Sequence, residues 1–188
     1  MGKVILITGP ARCGKSEYAE KLALNSNKTV VYIATAKQDE HDIEWQTRIQ
    51  QHRKRRPQHW FTQEVPTALT NALVGLKSET CILVDSLGTW VANLLEQEDA
   101  EWDNTVQEFL NTIELFGKNI DNADAKDVDI IFVAEETGWG VVPAYLIGRK
   151  FRDRLGALVR RLGNISHQVY LVTGGHVLNL SILGTPLD

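Results

Sequence analysis

The chain has 188 residues, 43% of them hydrophobic and 23% charged, with a formal net charge of -4. That suits a single domain, 1–188, whose core is large enough to need no disulfide or metal staple. The acidic balance argues against a protein that lives on nucleic acid, although a local basic patch stays open. Two cysteines, Cys13 and Cys81, exclude a disulfide framework and fit a reduced, cytoplasmic setting.

The first predicted element is an apolar strand, Val4–Thr8, with no basic, signal-peptide-like segment before it. It runs into Gly9, Pro10, Ala11, Arg12, Cys13, Gly14, Lys15 and Ser16, which fit G-x-x-x-x-G-K-[ST]. A predicted helix, Lys15–Asn25, follows. A strand before and a helix after are the context that gives this pattern meaning. Backbone N–H groups cradle phosphate at the positive end of the helix. Lys15 is expected to reach the β- and γ-phosphates of ATP or GTP, and Ser16 to ligate Mg²⁺. Cys13 reads most simply as a small residue filling the loop, though a thiol at a helix N-terminus also suits oxidation.

A second buried strand, Val30–Ala34, precedes a helix over roughly Glu40–Arg55, stopped by Pro57. Arg48 and His52 are four apart and share a face. Arg53, Lys54, Arg55 and Arg56 follow as four consecutive cations. Three readings stay open: a solvated basic face, a nucleic-acid patch, and a phosphate clamp around a nucleophile. In the third, the cations disfavour imidazolium, keep His52 neutral and nucleophilic, and stabilise charge on phosphate.

The strand Cys81–Asp85 ends in a carboxylate, where a second Mg²⁺ ligand sits in P-loop proteins. The alternative is an Asp that caps the next helix. Helices over Leu87–Glu98 and Glu101–Ile120, a solvated loop over Asn119–Asp129, a strand at Ile130–Ala134, a helix at Ala144–Leu162 and a strand at Val169–Thr173 complete the pattern. The tail, His176–Asp188, either adds a short hairpin or hangs loose, and its Gly184 and Pro186 favour a turn. Nearly continuous Val/Ile runs alternating with helices predict an α/β fold with a mostly parallel, doubly covered sheet. Ligands in such sheets bind at the carboxyl ends of the strands. No uncharged run is long enough to span a bilayer.

Several motifs in fixed order carry a resemblance over nearly the whole chain. They are Thr8–Ser16, Tyr32–Ala36, Arg48–His52 continuing to Pro57, His59-Trp60 before Glu64, the Asp85 strand with Trp90 and Asn93, Glu136–Pro143, and Arg149–Asp153. Together they resemble the bifunctional adenosylcobinamide kinase / adenosylcobinamide-phosphate guanylyltransferase family of cobalamin biosynthesis. The resemblance implies a three-layer, RecA-like P-loop NTPase fold, a homotrimer, and His52 as the residue guanylylated in a covalent intermediate. It implies guanine-nucleotide contacts at Thr35, Ala36, Lys37, Arg53 to Arg56, Glu64 and Asp85. Glu136, not Glu135, matches the family motif and is expected to serve the kinase step.

Trp139, between Gly138 and Gly140, reads equally as a core residue or as an apolar wall for the corrin ring. Pro10, Cys13, Gly88, Thr89 and the Gly174-Gly175-His176 run depart from the family's usual residues. Two other readings remain: a monofunctional P-loop kinase that does not need His52, and a RecA-like ATPase stimulated by nucleic acid through Arg53–Arg56.

Overall fold

The computed structural model describes residues 2–37, 43–74, 79–118 and 127–187, and among these the side chains at positions 44, 45, 48, 51, 52, 117 and 118 are outside the description. Seven strands form one sheet: β1 Val4–Gly9, β2 Thr29–Ala34, β3 Phe61–Glu64, β4 Thr80–Asp85, β5 Val128–Glu135, β6 Gln168–Thr173 and β7 His176–Asn179. Their order is β3-β2-β4-β5-β1-β6-β7. Every pairing is parallel except that between β6 and β7.

The helices are α1 Lys15–Asn25, α2 Ile43–Arg55, α3 Leu69–Leu73, α4 Leu87–Asn93, α5 Asp99–Lys118, α6 Leu146–Ile165 and α7 Leu180–Leu183. The expected start of α2 at Glu40, and most of the expected loop Asn119–Asp129, lie outside the described residues.

Alternation along the strands sorts the core into two layers. Ile130, Phe132 and Ala134 of β5 join Trp90, Phe109 and Leu155 from α4, α5 and α6. Ile131 and Val133 face the other way, with Ile5 and Ile7 of β1 and Ala19 and Ala23 of α1. Helices on both faces of a parallel sheet make the three-layer P-loop architecture expected from the sequence.

The structure differs from the expected elements in two places and settles a third. The helix expected to reach Glu98 ends at Asn93, whose side-chain amide donates to the carbonyls of Thr35 at 2.8 Å and Pro66 at 2.9 Å. A residue that spends its amide on two loops marks the end of the turn. The strand β3 was not expected, because Phe61, Thr62, Gln63 and Glu64 are all exposed and carry no apolar run. The tail pairs back on β6 as β7, so the hairpin reading of its start holds.

Phe109 is fully buried and packs its ring 5.1 Å from Trp90 and 5.5 Å from Phe132. Phe109→Ala is expected to destabilise the protein by about 3–5 kcal/mol, read as a shift in the denaturant midpoint with an unchanged slope.

Candidate active site

The site lies where β1, β4 and β5 end together. Register places Thr8 beside Ala134 and Gly9 beside Glu135, and Asp85 beside Val133. The chain after Gly9 turns back into α1 through Arg12 at φ 59° and Gly14 at φ 94°. Gly14 needs its positive φ, which a side chain would strain. Lys15 is 6% exposed and donates to the Pro10 carbonyl at 3.3 Å. Its ammonium nitrogen also lies 4.0 Å from Glu135 Oε1.

Asp85 is held from two sides. Ser16 Oγ donates to its Oδ1 at 3.3 Å, and the Tyr32 hydroxyl donates to its Oδ2 at 2.8 Å. It does not cap the next helix: Ser86 does, its Oγ accepting from Thr89 N at 3.1 Å. Tyr32 is buried, and burial with the nearby Asp85 carboxylate pushes its hydroxyl well above the usual tyrosine range. It therefore stays a donor to Asp85 at every working pH.

Glu135 and Glu136 diverge. Glu135 Oε2 accepts from Ser86 Oγ at 3.1 Å and from Gly88 N at 3.0 Å. Burial raises its pKa, against the opposing pull of Lys15. Glu136 turns away: its Oε1 accepts from Thr8 Oγ1 at 2.6 Å, and its N–H donates to the Gly9 carbonyl at 2.9 Å. The carboxylate beside Lys15 is therefore Glu135, which the family motif gave no reason to choose. Position 135 shares the parity of Ile131 and Val133, yet its carboxylate meets Ser86 and Gly88 at the start of α4 as well as Lys15, so the sequence held no local signal for it. Gly88 also gains a reason: a Cβ there would collide with Glu135 Oε2.

These groups line a cavity of about 610 Å³ that takes in Lys15, Ser16, Tyr32, Asp85 and Glu135. Ala11 of the loop also lines it, as do Ala36 and Lys37 after β2. Thr35 is fully buried and stitches β2 to β4, its Oγ1 donating to the Ser86 carbonyl at 2.7 Å and accepting from Ser86 N at 3.0 Å. Glu64 ends β3, beside Ala34 in register.

The helix α2 reaches the same cavity from outside the sheet. Ile49 and Arg56 line it, and position 52 lies three residues after the one and four before the other. The His52 and Arg48 side chains lie outside the described ones. Arg56 stacks its guanidinium 3.3 Å from the Tyr32 ring centroid, and its buried Nε has no hydrogen-bond partner. Arg55 pairs with Glu17 at 2.8 Å and Glu20 at 3.6 Å, both on α1. Arg53 and Lys54 are exposed. The basic run thus divides: Arg56 serves the cavity, Arg55 ties α2 to α1, and Arg53 and Lys54 face solvent.

Among the described residues no group of three or more His, Cys, Asp or Glu is placed to hold a metal ion. The Ser16 and Asp85 oxygens, 3.3 Å apart beside a phosphate loop, fit the one-carboxylate, oxygen-only seat that Mg²⁺ takes when phosphates complete its shell. No described helix is long and apolar enough to cross a membrane.

Two outcomes follow from this geometry. Cys81 is fully buried, and burial lifts its thiol to about 11. Thiol alkylation at mildly alkaline pH should therefore mark the half-exposed Cys13 and spare Cys81, and nucleotide should slow it; mass mapping of the alkylated peptides reads this. Separately, Gly88→Ala is expected to lower stability by about 1–3 kcal/mol through overpacking. Adding Glu135→Ala should relieve most of that loss in a double-mutant cycle of denaturant midpoints.

A sequence model of cobinamide kinase / cobinamide phosphate guanyltransferase matches residues 5–180. The bifunctional adenosylcobalamin biosynthesis protein CobP of Pseudomonas aeruginosa is 38% identical over 97% of this chain and 98% of its own. The protein CobU of Salmonella typhimurium, of the same description, is 34% identical over 92% of this chain and 96% of its own. A solved structure from Pyrococcus horikoshii OT3 shares the fold at a TM-score of 0.55, with 9% identity, over 95% of this chain and 86% of that one. On this evidence the chain belongs to the cobinamide kinase / cobinamide phosphate guanyltransferase family.

Proposed function

We propose that the protein phosphorylates adenosylcobinamide and then transfers GMP from GTP to the phosphate it has made, giving adenosylcobinamide-GDP. The observation that carries this reading is one cavity with two kinds of wall. Lys15, Ser16 and Asp85 of the phosphate site line it together with Ile49 and Arg56, which flank position 52 in the sequence.

In the first reaction the substrate's hydroxyl oxygen bonds to the γ-phosphorus of ATP or GTP as the bond to the β-phosphate oxygen breaks. The hydroxyl loses its proton and the nucleoside diphosphate leaves. Lys15 neutralises the transferring group, and the loop amides from Pro10 to Ser16 orient the phosphates. Ser16 and Asp85 would hold Mg²⁺, which when bound neutralises phosphate charge. Tyr32 fixes the carboxylate of Asp85 for that task. Glu136, bonded to Thr8 and the Gly9 backbone, braces the start of the loop, and of the two acids it is Glu135 that lines the cavity.

In the second reaction a neutral His52 nitrogen bonds to the α-phosphorus of GTP and pyrophosphate leaves. A phosphate oxygen of adenosylcobinamide phosphate then displaces the imidazole, so each bond made matches one broken. Arg56 is suited to the charge on the α-phosphate, since its buried Nε awaits an acceptor. Thr35, Ala36, Lys37 and Glu64 belong to the nucleotide site through the family resemblance, Ala36 and Lys37 also by lining the cavity. The same reading makes the protein a cytoplasmic homotrimer that binds no nucleic acid. The acidic net charge of -4 speaks against nucleic acid and the two cysteines fit a reducing compartment, while the homotrimer rests on the family resemblance alone.

The test uses GTP labelled at the α-phosphate, with Mg²⁺ and no corrinoid. The wild type should retain label that is lost in acid and kept in alkali. His52→Ala should retain none while still phosphorylating adenosylcobinamide, and Lys15→Ala should lose both activities. A wild type that takes no label yet phosphorylates adenosylcobinamide is a monofunctional kinase. ATP turnover stimulated by DNA or RNA, with no corrinoid product, is the result expected of a nucleic-acid ATPase.

A further inference from the structure

The chain leaves the cavity at Thr137 and returns to it at Phe151, and both residues line it. Between them lies a strip of exposed apolar side chains: Trp139, Val141, Val142, Tyr145, Leu146 and Ile147. Val141 is 95% exposed and Tyr145 80%, values that leave nearly the whole side chain in water. Scattered apolar residues on a surface are ordinary, but a run of this density marks a binding face.

The strip is also built into the fold. Arg149 Nη1 donates to the carbonyls of Pro143 at 3.0 Å and Ala144 at 2.7 Å. Pro143 packs against Gly148 so closely that a Cβ there would lie 2.9 Å from Pro143 Cβ. The loop is therefore held by the start of α6.

We infer that this strip is the corrinoid subsite: it takes the face of the corrin macrocycle while the arm bearing the reacting hydroxyl enters the cavity. The inference rests on the phosphoryl-transfer reading above and is independent of the covalent step at His52. The chemistry of the substrate selects the strip. A corrin is a large, nearly planar conjugated ring with amides at its edge, so an apolar shelf with two aromatic rings suits its face and leaves the amides in water. Position selects it too. The hydroxyl must reach the phosphate at Lys15, so the ring must rest at the cavity rim, and the strip is the chain between two residues of the lining, Thr137 and Phe151. The other exposed apolar group, around Leu178, Ile182 and Leu183, sits at the sheet edge on β7 and α7, three strands from β5.

The experiment compares wild type with two double variants, Trp139→Ala/Val142→Ser and Tyr145→Ser/Leu146→Ser, all at exposed positions. For each, KM and kcat are measured for adenosylcobinamide in the kinase reaction, together with KM for ATP, labelling by α-phosphate-labelled GTP without corrinoid, and sedimentation. The expected result is a KM for adenosylcobinamide raised about tenfold or more in both variants, with kcat, the ATP KM and GTP labelling within about twofold. An unchanged corrinoid KM overturns the inference, and if the subunit number changes instead, the strip is a subunit contact. Parallel loss of labelling and phosphorylation overturns it as well, since the damage is then to the nucleotide site. A wild type that phosphorylates no corrinoid removes the underlying activity, a failure distinct from a variant that merely keeps its KM.

Discussion

Everything in the site depends on where the Asp85 carboxylate is held. One oxygen takes the Ser16 hydroxyl from the phosphate loop, and the other takes the Tyr32 hydroxyl from the neighbouring strand. A carboxylate with both oxygens occupied cannot swing, so the distance between β4 and the loop is set before any ligand arrives. Tyr32 in turn carries the Arg56 guanidinium on its ring. A single chain of contacts thus runs from the P-loop through Asp85 and Tyr32 to the end of the helix that bears His52. On the proposed reading, two chemistries at different phosphorus atoms of a nucleotide share one cavity, and this chain of contacts links the parts that would handle them.

The paired carboxylates after β5 show how a small shift along a strand changes a role. Glu135 is drawn into the cavity by Ser86, the Gly88 amide and Lys15. Its half-buried carboxylate loses enough hydration to raise its pKa, a rise that Lys15, 4.0 Å away, only partly offsets. Gly88 leaves room for this arrangement, because any side chain at that position would push the Glu135 carboxylate off its hydrogen bonds. Glu136 instead joins β5 to the mouth of the loop through Thr8.

Much of this was legible in the sequence. Five strands were readable because each is an apolar run, four of them largely buried and β6 half-buried, and the phosphate loop because its glycines and lysine fall between such a strand and a helix. Asp85 was readable by its place at a strand end. The strand Phe61–Glu64 was not, since an exposed edge strand needs no apolar pattern and takes its hydrogen bonds from β2. Glu135 was passed over because Glu136 is the one that fits the family motif, and the partners that draw Glu135 in, Ser86, Gly88 and Lys15, are distant in sequence. The division of labour among Arg53, Lys54, Arg55 and Arg56 depends on Glu17, Glu20 and Tyr32, which are distant in sequence and invisible to any local pattern.

The central claim is that one cavity carries adenosylcobinamide through both reactions in order. The most direct measurement follows the corrinoid itself by mass spectrometry as the protein turns over adenosylcobinamide with GTP and Mg²⁺. The account predicts that the phosphate ester appears first and is then consumed as adenosylcobinamide-GDP accumulates. Nucleotide hydrolysis with the corrinoid unchanged, or a phosphate ester that is never converted, would contradict it.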